Sequence, residues 1–287
     1  MPSTSDAGIC DDGCRLVPPT DAAEAHIRVA GLTMAYGDFV VMRDLEFTVR
    51  RGDIFIIMGG SGCGKSTLMR HLIGLKRPAT GKVFIGGTSL WETEGEERNA
   101  LLRHLGVMYQ GGALWSSLTL AENIGLPLEQ FTDLSPGAIQ EVAAYKLALV
   151  GLAGFEDYYP AEISGGMQKR AGVARAMALD PEILFFDEPS AGLDPVSARR
   201  LDDLILELRE SLGTTMVVVT HELASLLAIG TSSVYLDVET RTQIALGRPR
   251  GLLETCWDAK VQAFLRRGGD EAAVTTQPAR RVNGKAG

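Results

Sequence analysis

Two groups of residues in this chain are of the right type and spacing for phosphate chemistry. Gly59-Gly60-Ser61-Gly62-Cys63-Gly64-Lys65-Ser66 fits the pattern G-x-x-x-x-G-K-[ST]. Its glycines let backbone N–H groups converge on phosphate oxygens, Lys65 adds a point charge for the β- and γ-phosphates, and the Ser66 hydroxyl is a ligand suited to Mg²⁺. Thr67 carries the run into a helical segment, whose N-terminus adds partial positive charge. A chain of this size and composition produces such a match by accident only about 0.01 times. The second group is Asp187-Glu188: the first acid can hold Mg²⁺, and the second can turn towards the γ-phosphate and polarise an attacking water.

These groups need elements to aim them. Ile54 to Met58 and Ile183 to Phe186 are apolar runs that end directly at the glycine loop and at Asp187, and Met216 to Val219 is a third run of the same kind. Near-continuous β-branched and aromatic runs suit strands covered on both faces, so the spacing predicts an α/β body with a largely parallel sheet. A helical run, Leu68 to Leu75, follows the loop. Leu201, Leu204, Ile205, Leu208 and Leu212 recur at helical spacing between Pro195 and Gly213, which predicts a helix over 195–212. From about 112 to 178 the runs are helical, including Ala138 to Val150, and read as a helical insertion with Pro127 and Pro136 marking turns. Val261, Phe264 and Leu265 fit one face of a last helix. Polar tails are expected over 1–25 and 269–287, leaving one domain over 26–268; the basic residues Arg280, Arg281 and Lys285 are read as part of a solvated tail.

Composition excludes several classes. The 28 Lys+Arg against 36 Asp+Glu give a net charge of −8, which argues against a protein that coats nucleic acid. Cys10, Cys14, Cys63 and Cys256 show neither a disulfide framework nor the paired spacing of a zinc site, and a reducing compartment fits them best. Residues 1–25 lack the basic flank and apolar stretch of a secretory signal. No run of about 18 apolar residues is present, so transport across a bilayer would need another chain.

Between the loop and the acidic strand stands Ser164-Gly165-Gly166-Met167-Gln168-Lys169-Arg170 at the start of a helical run. With this run in place the chain resembles the ATP-binding cassette (ABC) subunits of transporters, over about residues 26–268. The resemblance implies a RecA-like P-loop core with a mostly parallel sheet, an antiparallel β subdomain and a helical insertion carrying the signature motif. It also implies ATP and Mg²⁺ as ligands. Tyr36 is placed like the residue that stacks on adenine, and Gln110 like the Q-loop glutamine that reaches Mg²⁺. Asp194 in Ala191-Gly192-Leu193-Asp194 matches the D-loop, and His221 the switch histidine. Glu188 takes the part of general base, Ser66 and Asp187 join Gln110 at the metal, and ATP lies in a homodimer between the loop of one copy and Ser164, Gly165 and Gly166 of the other.

Gln110-Gly111-Gly112-Ala113-Leu114-Trp115 and the Gly-Gly-Met signature resemble the ATPases of Mla- and Mce-type lipid transporters. That resemblance implies an integral membrane permease, an Mce-domain substrate-binding protein and a small cytosolic accessory subunit as partners, with the chain at the cytoplasmic face of a bacterial inner membrane. Met167 stands where many relatives carry glutamine; Gln168 is a candidate substitute. Three alternatives stand beside this reading: an ABC transporter ATPase for another cargo, a soluble ABC ATPase, and a P-loop GTPase or kinase. The last lacks an Asn-Lys-x-Asp base-reading motif and has no use for the Ser164 run.

Overall fold

The apolar runs that end at the glycine loop and at Asp187 lie in one sheet with the third run between them. In the computed structural model, which describes residues 25–274, the strands are β1 (Ala25–Tyr36), β2 (Phe39–Arg50), β3 (Ile54–Gly59), β4 (Thr80–Ile85), β5 (Thr88–Ser89), β6 (Leu105–Met108), β7 (Ile183–Asp187), β8 (Thr215–Val219), β9 (Ser232–Asp237) and β10 (Thr242–Leu246). The helices are α1 (Lys65–Leu72), α2 (Gly95–Arg103), α3 (Leu120–Phe131), α4 (Pro136–Leu149), α5 (Gly165–Ala176), α6 (Pro195–Leu212), α7 (Leu223–Ile229), α8 (Pro249–Thr255) and α9 (Ala259–Val274). Cys10, Cys14, the acidic stretch before Ala25 and the basic residues after Val274 lie outside the described residues. Residues 269–274, expected within the C-terminal tail, continue α9, which runs through Val274.

Among the described residues one sheet has the order β10-β9-β3-β8-β7-β6 and the other β2-β1-β4-β5. β3 pairs in parallel with β8 and β9, β7 in parallel with β8 and β6, and β10 closes the edge antiparallel to β9. The smaller sheet is antiparallel throughout. A parallel sheet delivers all its strand C-termini to one edge, and that edge carries Gly59, Asp187 and the residue after Val219.

Side-chain alternation divides the core into two layers. Ile54, Ile56 and Met58 of β3, with Leu184, Phe186, Met216 and Val218, face the helices α3 to α7 and α9. Phe55 and Ile57, with Phe185, Val217 and Val219, face α1 and the antiparallel sheet, where Phe55 stacks on Phe47 at 5.1 Å. Every residue of β3 and β8 is buried, which is why these strands read as unbroken apolar runs.

The segment between β6 and β7 is helical, as its patterning predicts, with one correction. Pro127 and Pro136 do not mark turns: Pro127 lies inside α3, and Pro136 is the first residue of α4. A proline within a helix removes one N–H, but α3 is secured at its start by a reciprocal Thr119–Glu122 capping box and buries Leu120, Ile124 and Leu128. At Pro136 the fixed φ suits a first turn, and Ser135 caps it.

Candidate functional site

The glycine loop turns sharply out of β3. Gly59 has φ +145°, and a Cβ there would lie 2.4 Å from the Leu236 carbonyl oxygen, so no larger residue fits. Gly64 caps α1 in the left-handed region, offers no side chain to the first-turn amides, and is followed by no acid in that turn. A cradle of open N–H groups at a helix N-terminus with no competing carboxylate suits an anion, which is the fit a triphosphate requires. Within the loop, Gly60, Ser61 and Gly62 are accessible, and Cys63 is buried, its thiol pushed up by burial. Lys65 Nζ donates to the carbonyls of Gly59 at 3.0 Å and Gly60 at 3.1 Å, which holds the ammonium over the loop.

Opposite the loop, Ser66 Oγ donates to Asp187 Oδ1 at 3.3 Å. The two are hard oxygen donors beside one another, a pairing that suits Mg²⁺. Burial pushes the Asp187 carboxyl up, the Ser66 bond opposes this, and the neighbouring Glu188 reinforces it. Glu188 has φ +50°, rare for a residue with a Cβ; its N–H donates to the Val219 carbonyl at 2.8 Å, and its side chain reaches the segment after β8. There His221 Nδ1 lies 2.8 Å from Glu188 Oε2, and the His221 N–H approaches the same oxygen at 3.4 Å. Asp187, Glu188, Ser66, Lys65 and His221, drawn from three separate stretches of sequence, thus share one edge of the sheet.

The remaining sequence-predicted residues lie on other elements. Met108 pairs with Phe186 in parallel register, which sets Gln110, exposed, just past the strand tips that carry Asp187 and Glu188. Ser164 caps α5, its hydroxyl accepting from the Met167 N–H at 3.3 Å, with Gly165 and Gly166 in the first turn and no acid there. Asp194 caps α6, accepting from Val196 N–H and Ser197 N–H at 3.0 Å each; the Ser197 bonds hold its carboxyl below the usual range. Tyr36 ends β1 beside α1, where hydrogen bonds from Thr67 and then Arg70 lower its hydroxyl pKa and the Lys76 ammonium lies over the ring. Gln168 is committed elsewhere: its amide donates to the carbonyls of Pro160 at 2.8 Å and Ile163 at 3.4 Å, so it braces the turn before α5.

Sequence reasoning passed over Arg70, Lys76 and Lys169. Arg70 sits three residues after Thr67 on α1, a spacing that places both on one helix face beside Tyr36. Lys169 is buried on α5, and burial pushes its ammonium pKa down while the charge of Glu188 acts against that shift.

A model of the ABC transporter family matches residues 42–191, just over half the chain. The chain belongs to that family. This ABC protein is 35% identical over 253 residues to the "Intermembrane phospholipid transport system ATP-binding protein MlaF" of Haemophilus influenzae, covering 88% of the chain and 95% of MlaF. It is 38% identical over 239 residues to the "Probable ribonucleotide transport ATP-binding protein mkl" of Mycobacterium tuberculosis, covering 83% of the chain but 66% of mkl, so the ABC protein spans just under two thirds of that relative. Among solved structures, the dimeric, post-hydrolysis ATP-binding cassette MJ0796 bound to ADP and Pi aligns with TM-score 0.69 and 28% identity, over 77% of this chain and 98% of that one. The ABC protein therefore has the core, the antiparallel sheet and the helical segment that its signature residues imply. Among its described residues no helix is long and apolar enough to cross a membrane.

Proposed function

We infer that this ABC ATPase energises movement of phospholipid between membranes, working as a dimer on an integral membrane permease with an Mce-domain protein and a small accessory subunit. The observation that carries the cargo is the likeness to MlaF along 95% of that protein's length. The Gln110–Trp115 run and the Gly-Gly-Met signature point the same way. By its likeness to MlaF and mkl, the chain acts from the cytoplasmic face of the inner membrane through its permease.

The geometry supports a specific division of labour. First-turn amides of α1 and the Lys65 ammonium bind the β- and γ-phosphates, and Lys65 exchanges its two loop carbonyls for phosphate oxygens as they arrive. Ser66, Asp187 and Gln110 would hold Mg²⁺, which supplies charge neutralisation between the phosphates. Glu188 takes a proton from the attacking water, and His221, already 2.8 Å from its carboxylate, holds that carboxylate in position and reports on the γ-phosphate. Ser164, with Gly165 and Gly166, presents a second helix N-terminus to the partner copy's γ-phosphate, and Tyr36 stacks on adenine. Hydrolysis removes the γ-phosphate that both helix ends share, and the closed dimer loses its preference over the open one.

The test is copurification and reconstitution. The complex isolated with its permease should carry phospholipid and transfer it between vesicles only with hydrolysable ATP. A complex with a solute-binding protein and no lipid would shift the cargo to a small molecule. The name of the mycobacterial relative favours a ribonucleotide as that second reading.

A further inference from the structure

The segment that carries His221 is weakly secured by its own sequence. α7 is short, its N-terminal cap residue Glu222 makes no side-chain bond to the helix, and the turn before it is held locally by one contact, Glu222 N–H to Thr220 Oγ1 at 3.0 Å. Beyond the His221–Glu188 contact, polar bonds from two other helices reach it: Ser225 Oγ donates to Asp202 Oδ2 on α6 at 2.7 Å, with both side chains buried, and Arg250 Nε of α8 donates to the Leu227 carbonyl at 2.7 Å, a main-chain bond that specifies no side chain on α7. Ser225 lies in the first turn of α7, four residues after His221, and Asp202 lies two turns after Asp194, the cap of α6.

This pair is an expensive way to join two helices. α6 buries Leu201, Leu204, Ile205 and Leu208, and an apolar side chain at position 202 would pack against α7 without desolvating a charge. Burial pushes the Asp202 carboxyl up to about 6; the Ser225 bond lowers it, Asp203 raises it, Arg199 lowers it and Glu222 raises it. A buried polar pair of this kind fixes one relative setting of its elements where apolar contacts tolerate several. The other end of α6 lies against the signature helix, since a Cβ at Gly166 would sit 3.5 Å from Ser197. α6 is thus a strut from the start of α5 to the His221 segment.

We propose that Asp202 and Ser225 are positioning residues that lock the His221 segment to α6, so that the contact between His221 and Glu188 moves with the Asp194 cap and the signature helix. The proposal rests on the reading of His221 and Glu188 given above. In the sandwich, the α5 end serves the partner's nucleotide and His221 serves its own, so the pair ties each site's switch to the state of the other.

The experiment uses the complete complex and measures ATP turnover, KM and thermal midpoint for Ser225→Ala, Ser225→Thr and the double variant Asp202→Leu/Ser225→Ala. Ser225→Ala should lower kcat about tenfold with KM for ATP unchanged, and Ser225→Thr, which keeps the hydroxyl, should recover most of it. The double variant replaces the polar pair by apolar packing; it should match or exceed the wild-type midpoint and remain as slow as Ser225→Ala. Wild-type kcat in Ser225→Ala, or in the double variant, overturns the positioning role while leaving the ATPase reading intact. A wild-type complex that binds no ATP overturns both.

Discussion

Two helix N-termini in this molecule are built for anions, and they are finished to different degrees. The start of α1 has a glycine cap that leaves its amides open, and the same chain supplies Lys65, Ser66, Asp187, Glu188 and His221 around it. The start of α5 has an equally acid-free first turn, capped by Ser164, but the side chains nearest Gly165 and Gly166 are Leu193 and Ser197, neither of them charged. One end is a workshop and the other a lid. The difference teaches that the start of α1 has its polar neighbours within one copy while the start of α5 does not, which fits the proposed nucleotide shared between two copies.

The sharpest way to break that contrast is at the finished end. Glu188→Gln should cut turnover about 10²–10⁴-fold, because it removes the proton acceptor, while MgATP binding measured by calorimetry persists and dimer accumulates. Phosphate release at the wild-type rate would assign the base elsewhere. At the other end, Ser164→Ala should lower turnover of the complex about 10–100-fold and leave nucleotide affinity of the isolated chain unchanged, since that affinity belongs to α1. Mixing Ser164 variants with Lys65 variants should restore at most one working site per dimer, and full activity in either homodimer would dissolve the comparison. Tyr36→Ala should raise the KM for ATP about tenfold with little change in kcat, as expected for a stacking contact.

The smallest effect concerns stability. The folded Asp202 carboxyl is raised from 3.8 to about 6, so its protonated form is the one the fold favours. The fold is not penalised by this group below 3.8, and the penalty grows through the interval up to about 6, reaching at most about 3 kcal/mol at neutral pH. Asp202→Asn keeps an acceptor for Ser225 and removes the charge, so its thermal midpoint should rise by a few degrees at neutral pH and lose that part of the acid-to-neutral slope. Equal midpoints for the two proteins at pH 7 would show that the carboxyl is not penalised.

How much was legible in the sequence depended on whether the relevant neighbours were contiguous. Gly59 to Ser66 and Ile183 to Glu188 carry their strand, their turn and their chemistry in single runs, so both were readable. β1 and β2 were not readable as 12-residue strands: their pairing is interrupted by register shifts, with Gly31 and Asp44 at positive φ breaking the alternation that marks a half-buried strand. Pro127 was misread because tertiary packing and a capping box outweighed a local breaker signal. Gln168 looked free to serve the nucleotide because the carbonyls it braces belong to a turn whose shape no spacing reveals. The Asp202–Ser225 bond joins positions 23 residues apart on two helices, a contact that helical periodicity within either cannot announce.

With Glu188 as the proposed base, its left-handed backbone sets heat tolerance against turnover at one residue. Glycine or asparagine would occupy that conformation with less strain, so the protein carries there a residue its local geometry disfavours. A search for hardier variants would be drawn to this position and would return proteins that melt later and no longer work.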